Sequence, residues 1–273
     1  MILIVDLGKM KLIKKRIKKI LEFRKYKFLG LSYNEFSELK KGSIKNTSIL
    51  FGKEIKITDS FWYLHSLNEL FIEEVYKFTA NNNKPKIIDC GSNIGLSIIY
   101  FKRLFPESEI IAFEPDNDIF SISEYNLNQF NINDVKLYQK AVWINDEPLV
   151  FSKRGSLGGH IVEEKAENTI GIETVRLKDF LHEKIDFLKI DIEGPEYEIL
   201  KDCCDSLKNV ENIFVEYHSF AENPQMIGEL LIILKNAGFK VYIKEAWENM
   251  KNPYKEKRGS YFDLQLNIFG YRL

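Results

Sequence analysis

The chain has 273 residues, a formal net charge of −1, 45% apolar residues and 29% charged residues. That length suits one α/β domain with a modest extension, and the composition is that of a globular protein. No apolar run reaches the roughly 18 residues needed to span a membrane, and the balanced charge argues against a nucleic-acid partner. Cys90, Cys203 and Cys204 lack metal-ligand spacing, so we expect reduced thiols in a cytoplasmic protein.

Basic residues are concentrated near the N-terminus. Between Lys9 and Lys27, ten Lys or Arg residues accompany one acidic residue, Glu22. Residues 9–28 predict a helix whose apolar stripe is formed by Ile13, Ile17, Ile20 and Leu21. Two interpretations are open: the stripe docks on the domain, which we favour, or it makes a peripheral contact with an anionic membrane surface.

The rest of the N-terminal region predicts a small accessory unit. Residues 30–56 have the mixed composition and alternation of a cap or an edge hairpin. An aromatic-rich helix is predicted over residues 61–78. The sequence therefore predicts an N-terminal extension over residues 1–60 and a main domain over residues 61–273.

A glycine-containing turn follows the first strand of the main domain. Residues 87–88 predict a buried parallel strand, and a helix is predicted from about residue 94 to 105. The turn between them contains Gly91, Ser92, Asn93 and Gly95. A helix that starts there points free N–H groups and a positive dipole end at a ligand over the turn. With Asp89 two residues before the first glycine, the pattern suits S-adenosylmethionine better than a dinucleotide, although a plain tight connection is the alternative.

A second apolar strand over residues 108–115 ends near an acid, Glu114. Its distance from the turn is close to the ~20 residues at which an acid meets ribose hydroxyls in nucleotide-binding βαβ units. The alternative is a simple helix-entry residue before Pro115. Together, the two segments predict a nucleoside-binding half-sheet.

The remaining chain continues the alternation of strands and helices. Further strands are predicted over residues 135–138, 185–191, 212–218, 239–243 and 262–269, a hairpin arm over 148–151, and helices over 116–128, 178–182 and 226–237. Residues 141–143 follow the third strand, and residues 172–177 precede the short helix. The strand over 185–191 is the most hydrophobic and is expected at the centre of the sheet. The glycine-rich residues 154–160 predict either an active-site lid or a hairpin turn.

Two pairs of polar residues follow the central strands. Asp191 and Glu193 lie two apart where one strand ends, as do Glu216 and His218 in the next. Such spacing puts each pair on one side of its strand, and ligands bind at the carboxyl ends of parallel strands. We therefore expect the four groups to converge beside the cofactor.

The expected chemistry at this point is removal of a proton from a hydroxyl. His218 is the candidate base, because an ordinary histidine is largely neutral near pH 7. Alternatively, Asp191, Glu216 and His218 hold a divalent cation, Mg²⁺ or Mn²⁺, that acidifies the hydroxyl. The sequence leaves both mechanisms open.

Five segments resemble the FkbM-type family of S-adenosylmethionine-dependent methyltransferases, and the likeness runs from about residue 71 to the C-terminus. They are residues 89–95, 113–115, 141–142, 187–194 and 215–218, of which Leu-Lys-Ile-Asp-Ile-Glu-Gly is the most specific. The resemblance implies the class I methyltransferase fold, a mostly parallel seven-stranded sheet with helices on both faces and an antiparallel last strand. It also implies that the segment near residues 61–78, with Glu69, covers the cofactor cleft. The implied cofactor residues are Asp89, Gly91, Ser92, Asn93, Gly95, Glu114, Ala141 and Asp191.

The family implies O-methylation of a hydroxyl, often on sugars or on glycosylated and polyketide products. The leading prediction is therefore an S-adenosylmethionine-dependent O-methyltransferase acting on a glycan or related small molecule. The alternatives are a methyltransferase for protein or RNA and a non-catalytic nucleoside-binding scaffold. The Asn/Asp-Pro-Pro-aromatic motif of amino-group methyltransferases is absent, which weakens N-methylation. The oligomeric state is not predicted.

Overall fold

The computed structural model describes residues 7–152, 160–162 and 169–273. In chain order the strands are β1 (Thr47–Leu50), β2 (Lys53–Lys56), β3 (Lys86–Cys90), β4 (Glu109–Phe113), β5 (Val135–Tyr138), β6 (Ala141–Trp143), β7 (Leu149–Ser152), β8 (His160–Val162), β9 (Thr169–Ile172), β10 (Thr174–Arg176), β11 (Ile185–Ile190), β12 (Val210–Phe220), β13 (Lys240–Trp247) and β14 (Phe262–Tyr271). The α-helices are α1 (Leu7–Tyr26), α2 (Tyr33–Leu39), α3 (Ser60–Leu67), α4 (Leu96–Leu104), α5 (Asn117–Gln129), α6 (Glu196–Cys203), α7 (Ile227–Asn236) and α8 (Pro253–Glu256). Of the predicted loop over residues 154–160, all but the last residue lies outside the described part.

The main sheet has seven strands in the order β13-β14-β12-β11-β3-β4-β5. The strands from β12 to β5 run parallel, whereas β14 lies antiparallel between β12 and β13. Strand β11 occupies the centre, and all of its residues are buried. This arrangement confirms the predicted class I fold, including the antiparallel last strand.

The N-terminal region shares its hydrophobic core with the main sheet. Leu29, Phe36 and Leu50 belong to the same buried cluster as Phe101 and Phe214. A second cluster covers the other face of the sheet. Both faces of the sheet are therefore covered, and the N-terminal region contributes to one of the two cores. The division of the chain at residue 60 stays a prediction.

Asn126 on α5 links this region to the glycine turn. Its Oδ1 accepts a hydrogen bond from the Lys56 N–H at 2.7 Å, and its Nδ2 donates to the carbonyls of Lys56 and Ile94, each at 2.9 Å. The side chain is fully buried, so all three bonds form away from solvent and are costly to lose.

The helix α1 lies where predicted, but its stripe does not dock as favoured above. Ile17 and Leu21 are 51% and 53% exposed, and the helix instead reaches the core through Phe23 and Tyr26, which contact Phe36. Aromatic rings in the last turn fill the gap beside α2, which turns the smaller aliphatic side chains outward.

The predicted helix over residues 61–78 is too long. Asp59 caps α3 by accepting the Trp62 N–H at 2.9 Å, one π-helical turn follows over Asn68–Ile72, and Glu74 then has a left-handed backbone with φ of +50°. A left-handed residue cannot continue a right-handed helix, so the segment ends there.

Two further observations concern the whole described region. None of its helices combines the length and apolar character that a membrane crossing needs. Cys90, Cys203 and Cys204 are unpaired, and Cys90 is buried in the core as its strand position predicts.

Candidate active site

The glycine turn after β3 is held tightly against the end of the central strand. Gly91 has φ of +84°, and a Cβ there would lie 1.9 Å from the Asp191 carbonyl oxygen. The N–H groups of Gly91 and Ser92 both donate to the carbonyl of Phe113, at 3.0 and 2.9 Å. Only glycine permits both this conformation and this approach, so the turn brings cofactor-site backbone and Asp191 together.

Glu114 lies against the same turn and is buried. Its carboxylate accepts the N–H of Asn93 at 3.0 Å and that of Asp116 at 2.9 Å. Burial raises the pKa of Glu114 to about 7, against the opposing effect of these two donors. Ala141, on the neighbouring short strand, is also buried. Neither side chain lines the cavity beneath α3 that is described below.

Asp89 is placed under the turn and has no exposed surface. Its Oδ2 accepts the Ser97 hydroxyl at 2.5 Å, and its Oδ1 lies 3.2 Å from Nζ of Lys189. It therefore supports the start of α4 and the turn from below, whereas Gly91, Ser92 and Asn93 line the cavity above it.

Lys189 on β11 lies in the candidate site, although the motif analysis did not single it out. Its Nζ donates to the carbonyl of Gly91 at 2.7 Å and lies 3.3 Å from Oδ2 of Asp191. Burial alone lowers the pKa of Lys189, but Asp89 and Asp191 outweigh it, and the net shift is upward. The buried ammonium thus connects the glycine turn after β3 to Asp191 at the end of β11. A lysine in an otherwise apolar strand was the available signal, because a buried charge needs partners.

A cavity lies between this edge of the sheet and the N-terminal segment. The sheet side contributes Gly91, Lys189, Asp191 and Glu216, and α3 with its following turn contributes Trp62, Tyr63, Ser66 and Glu69. Glu69, implied to line the cleft, does line it.

The buried His218 lies among three carboxylates, of which Glu196 is buried and Glu193 and Glu216 are half-buried. Its Nε2 is 3.5 Å from Oε1 of Glu216 and 3.6 Å from Oε2 of Glu193. Its Nδ1 is 3.1 Å from Oε1 of Glu196. The structure thus brings Glu193, Glu216 and His218 together, and Asp191 is close enough for its charge to affect the same group.

The position of Glu196 in the first turn of α6 predicts no more than a charge that favours the positive end of the helix. The structure places it fully buried, where it also accepts the Gly194 N–H at 2.9 Å. Its position in the first turn of α6 hid this role, because acids there commonly serve the helix end alone.

The charge of His218 differs from the sequence expectation. Burial lowers the pKa of His218, but Glu196 first, and then Glu216 and Glu193, raise it well above its ordinary value. This shift disfavours the neutral imidazole that the sequence predicts, because three carboxylates stabilise the protonated ring. Burial also raises the pKa of Glu193 to about 8, with His218 opposing and Asp191 reinforcing the shift.

Glu193 is held in an unusual backbone conformation. Its φ is +62°, a region that non-glycine residues enter at a cost of about 1–2 kcal/mol. The next residue, Gly194, has φ of +138°, and a Cβ there would lie 2.4 Å from the Phe220 ring. This strained turn directs the Glu193 carboxylate back to His218.

The geometry also defines a group suited to a cation. Ligand atoms of Asp191, Glu193 and His218 all lie within 4.8 Å of one another. This group shares Asp191 and His218 with the predicted set of Asp191, Glu216 and His218, and Glu216 lies 3.5 Å from Nε2 of His218. Carboxylate oxygens with one imidazole suit Mn²⁺ or Mg²⁺.

Fold and sequence comparison together identify the class. A seven-stranded class I sheet with a glycine turn and an acidic cleft at its carboxyl edge is the arrangement of an S-adenosylmethionine-dependent methyltransferase. The family model "Methyltransferase FkbM domain" matches residues 89–241. The chain belongs to the FkbM methyltransferase family.

Named relatives and solved structures share parts of this chain. Methyltransferase 1 of Beauveria bassiana is 26% identical over 203 residues, which cover 64% of this chain and 80% of that protein. The 2-O-methyltransferase NoeI of Sinorhizobium fredii is 24% identical over 155 residues, covering 49% of this chain and 63% of that protein. The structure of methyltransferase FkbM from Methylobacillus flagellatus aligns at 14% identity with a TM-score of 0.47, over 70% of this chain and 45% of that one. M. jannaschii TYW2 in complex with AdoMet aligns at 11% identity with a TM-score of 0.47, over 84% of this chain and 88% of that one.

Proposed function

We propose that this methyltransferase transfers the methyl group of S-adenosylmethionine to a hydroxyl of a glycan or a related small molecule. The observation that carries the proposal is the carboxylate cluster of Asp191, Glu193 and Glu216 around His218. A sugar hydroxyl is a weak nucleophile that must lose its proton during attack, so its methylation needs an acceptor group beside the methyl donor. The name of the relative NoeI, a 2-O-methyltransferase, supports transfer to oxygen.

The residues around the turn fit the methyl donor. Ser92 is buried, lines the cavity, and its Oγ has no hydrogen-bond partner within the described residues, so a polar ligand group would satisfy it. The carboxylates of Glu69 and Asp191 suit the cationic amino-acid end of the donor. Glu114 would accept from the ribose hydroxyls and Ala141 would lie beside the base, with Gly91, Asn93 and Gly95 shaping the turn.

The proton of the acceptor hydroxyl is transferred to a carboxylate of the cluster and not to a neutral imidazole of His218. Because His218 is already protonated near neutral pH, a carboxylate must take the hydroxyl proton. Glu193 is the best candidate for the base. A base whose pKa lies near the working pH is ionised in part of the molecules and still has a high affinity for the proton. His218 stabilises the ionised form of Glu193, and Glu216 accepts a hydrogen bond from the acceptor.

A divalent cation is a second candidate for promoting loss of the proton from the acceptor hydroxyl. Asp191, Glu193 and His218 have the spacing described above, and Glu196 faces the opposite ring nitrogen of His218. Such a carboxylate–histidine pair is the usual support of a metal-ligating histidine. A cation would acidify the hydroxyl directly.

The experiment that tests the proposal follows labelled methyl groups from S-adenosylmethionine into neutral oligosaccharides, protein and RNA in parallel. We expect label in the oligosaccharide as a methyl ether, together with calorimetric binding of S-adenosylhomocysteine. Label in protein or RNA alone would overturn the acceptor class, and binding of NAD without binding of S-adenosylhomocysteine would overturn the cofactor assignment.

We also propose a peripheral membrane contact through α1. The support is its exposed apolar pair, Ile17 and Leu21, flanked by the basic residues of segment 9–27. Exposed aliphatic side chains with surrounding lysines are typical of helices that lie on anionic membranes. A cytoplasmic location at the membrane surface would follow.

A further inference from the structure

Four aromatic side chains form an exposed group that we call the aromatic rim: Phe61, Trp62, His65 and Trp247. Trp247, from the end of β13, lies 5.4 Å from Trp62, 5.7 Å from His65 and 6.0 Å from Phe61, measured between ring centroids. The exposed fractions of Phe61, Trp62 and Trp247 are 46%, 38% and 38%. Exposing a contiguous aromatic surface to water is unfavourable, and such a surface usually marks a binding site.

The aromatic rim is continuous with the active-site cavity. Trp62 lines that cavity together with Glu69 and Glu216. His65 is tied to the same wall, because its Nδ1 lies 3.3 Å from Oε2 of Glu69. Trp62 thus belongs to both the rim and the cavity wall, and His65 contacts Glu69 of that wall.

Strand register fixes the distance between rim and catalytic group. His218 is paired with Gln265, and Gln265 is paired with Trp247, so these three side chains stand in one row across β12, β14 and β13. Neighbouring strands are about 4.8 Å apart, so the backbone of Trp247 lies about 10 Å from that of His218. Gln265 stands between them in this row, so Trp247 and His218 lie on the same face of the sheet, two strands apart.

The charge of the cavity restricts what can occupy it. Glu69, Asp191 and Glu216 contribute negative groups to its wall, whereas the Nζ of Lys189 is buried beneath and already paired. An anionic ligand is repelled by this wall. A neutral ligand rich in hydroxyls is favoured, since ionised carboxylates only accept hydrogen bonds.

We propose that the aromatic rim binds a neutral sugar ring adjacent to the sugar that is methylated. A pyranose presents C–H groups on its faces, which pack on aromatic rings, and hydroxyls at its edge, which reach the carboxylates. The preferred acceptor is therefore an oligosaccharide or glycoside of neutral sugars rather than a free monosaccharide. This inference rests on the proposed function and narrows its substrate class.

Binding can be measured without turnover. Trp62 and Trp247 are two of the three tryptophans in the chain, so intrinsic fluorescence of the full chain with bound S-adenosylhomocysteine reports on the rim. We would titrate cellotetraose, maltotetraose, glucose and tetragalacturonate. A fluorescence change that saturates with a neutral tetrasaccharide, at least about 10-fold lower affinity for glucose, and no response to tetragalacturonate are expected.

Variants connect the signal to the rim. Trp247→Ala is expected to weaken tetrasaccharide binding at least about 10-fold and to raise KM for that acceptor with little change in kcat, while Trp247→Tyr restores much of the affinity. The matched control is Tyr254→Ala, which removes an almost fully exposed aromatic residue outside the rim. Unchanged affinity for S-adenosylhomocysteine shows that each variant is folded.

The outcomes separate this inference from the proposed function. Wild-type tetrasaccharide affinity and kcat/KM in both Trp247→Ala and Trp62→Ala overturn the rim inference and leave O-methylation of glycans intact. Equal use of glucose and tetrasaccharide, or equal binding of tetragalacturonate, also overturns it. Binding of S-adenosylhomocysteine without binding or methylation of either neutral tetrasaccharide overturns the glycan acceptor and the rim inference together.

Discussion

The Nδ1 atom of His218 lies 3.1 Å from Oε1 of Glu196, and both side chains are buried. The glutamate thereby fixes the ring so that Nε2 faces Glu193 and Glu216, of which Glu216 lines the cavity. Its charge is also the first of the effects that raise the pKa of His218 against burial. Glu196 acts on the reaction only through the imidazole, so it is a positioning residue.

Replacing this residue should alter the pH dependence of the reaction. Glu196→Gln keeps the shape of the side chain but removes its charge, so we expect the pKa of His218 to fall and turnover to drop about 10-fold or more. The pH–rate profile and histidine NMR signals measure both effects. Glu198→Gln is the matched control, because it removes the same charge from an exposed position on α6. An unchanged profile in Glu196→Gln would contradict the assigned role.

Removing the imidazole should affect chemistry but not cofactor binding. His218→Ala leaves the glycine turn and Glu114 in place, so its affinity for S-adenosylhomocysteine should match that of the wild type. Turnover should fall at least about 10²-fold, because Glu193 loses the positive charge that stabilises its ionised form as the base. Asp191→Ala should behave similarly in turnover.

The same assay decides between base and cation. Inhibition by a chelator that Mg²⁺ or Mn²⁺ reverses would support the cation mechanism, and chelator-insensitive turnover would support the carboxylate base. Near-normal turnover of both His218→Ala and Asp191→Ala would show that the active site is misplaced.

Stability and activity should respond oppositely to pH through Glu193. Because its folded pKa of about 8 exceeds the ordinary value of about 4.3, the folded state binds the proton more tightly than the unfolded state. The contribution of Glu193 to stability is therefore present at low pH and lost as pH rises from about 4.3 to 8. Turnover rises over the upper part of that range as the base ionises.

The variant Glu193→Gly separates the effect of Glu193 on stability from its effect on turnover. Glu193→Gly removes the titrating group and relieves the left-handed strain of about 1–2 kcal/mol, so the free energy of unfolding should be maintained or rise while turnover is lost. Thermal unfolding at pH 5, 6.5 and 8 checks this expectation. A Glu193→Gly variant that is active and shows wild-type pH dependence would contradict it.

Gly91 lies so close to the Asp191 carbonyl that the variant Gly91→Ala should disturb the turn. Its Cβ would meet the Asp191 carbonyl at 1.9 Å with φ of +84°, so the turn must move. We expect at least about 1–3 kcal/mol of destabilisation and a loss of affinity for S-adenosylhomocysteine. The control is Gly228→Ala on α7, which meets nothing within 4 Å and should be neutral or stabilising. Wild-type binding by Gly91→Ala would remove the turn from the cofactor site.

The membrane proposal can be tested in the full chain. Ile17→Ser with Leu21→Ser should abolish sedimentation with phosphatidylserine vesicles, and the wild-type interaction should weaken as salt rises. Ile232→Ser, at a comparably exposed aliphatic residue on α7, serves as the control. Equal sedimentation of the double variant and the wild type would rule out α1 as the contact.

The sequence predicted the features that depend on residues close together in the chain, such as apolar runs and backbone conformation. The buried strand β11 follows from its apolar run, and the turn from glycines that the backbone requires at Gly91 and Gly95. The ends of α3 were missed, because the left-handed Glu74 that stops the segment has no sequence signal of its own. The protonation of His218 was missed for a different reason, since it depends on carboxylates that only the tertiary fold brings together.

Long-range neighbours were likewise invisible in the sequence. Trp62 and Trp247 come from opposite ends of the chain and meet only because β14 places β13 two strands from β12. Convergence of Asp191 and Glu216 could be predicted, because adjacent parallel strands end at one edge. No comparable rule relates α3 to the end of β13.

The three hydrogen bonds of Asn126 connect the N-terminal hairpin to the glycine turn, so we expect the hairpin to influence methyl-donor binding. The amide that holds Lys56 also holds the carbonyl of Ile94, one residue before the second glycine of the turn. Folding of residues 47–56 and organisation of the cofactor site are thus linked equilibria. S-adenosylhomocysteine should therefore protect this hairpin from proteolysis at a distance from its own contacts, and a chain lacking the hairpin would bind the methyl donor weakly even with every active-site residue intact.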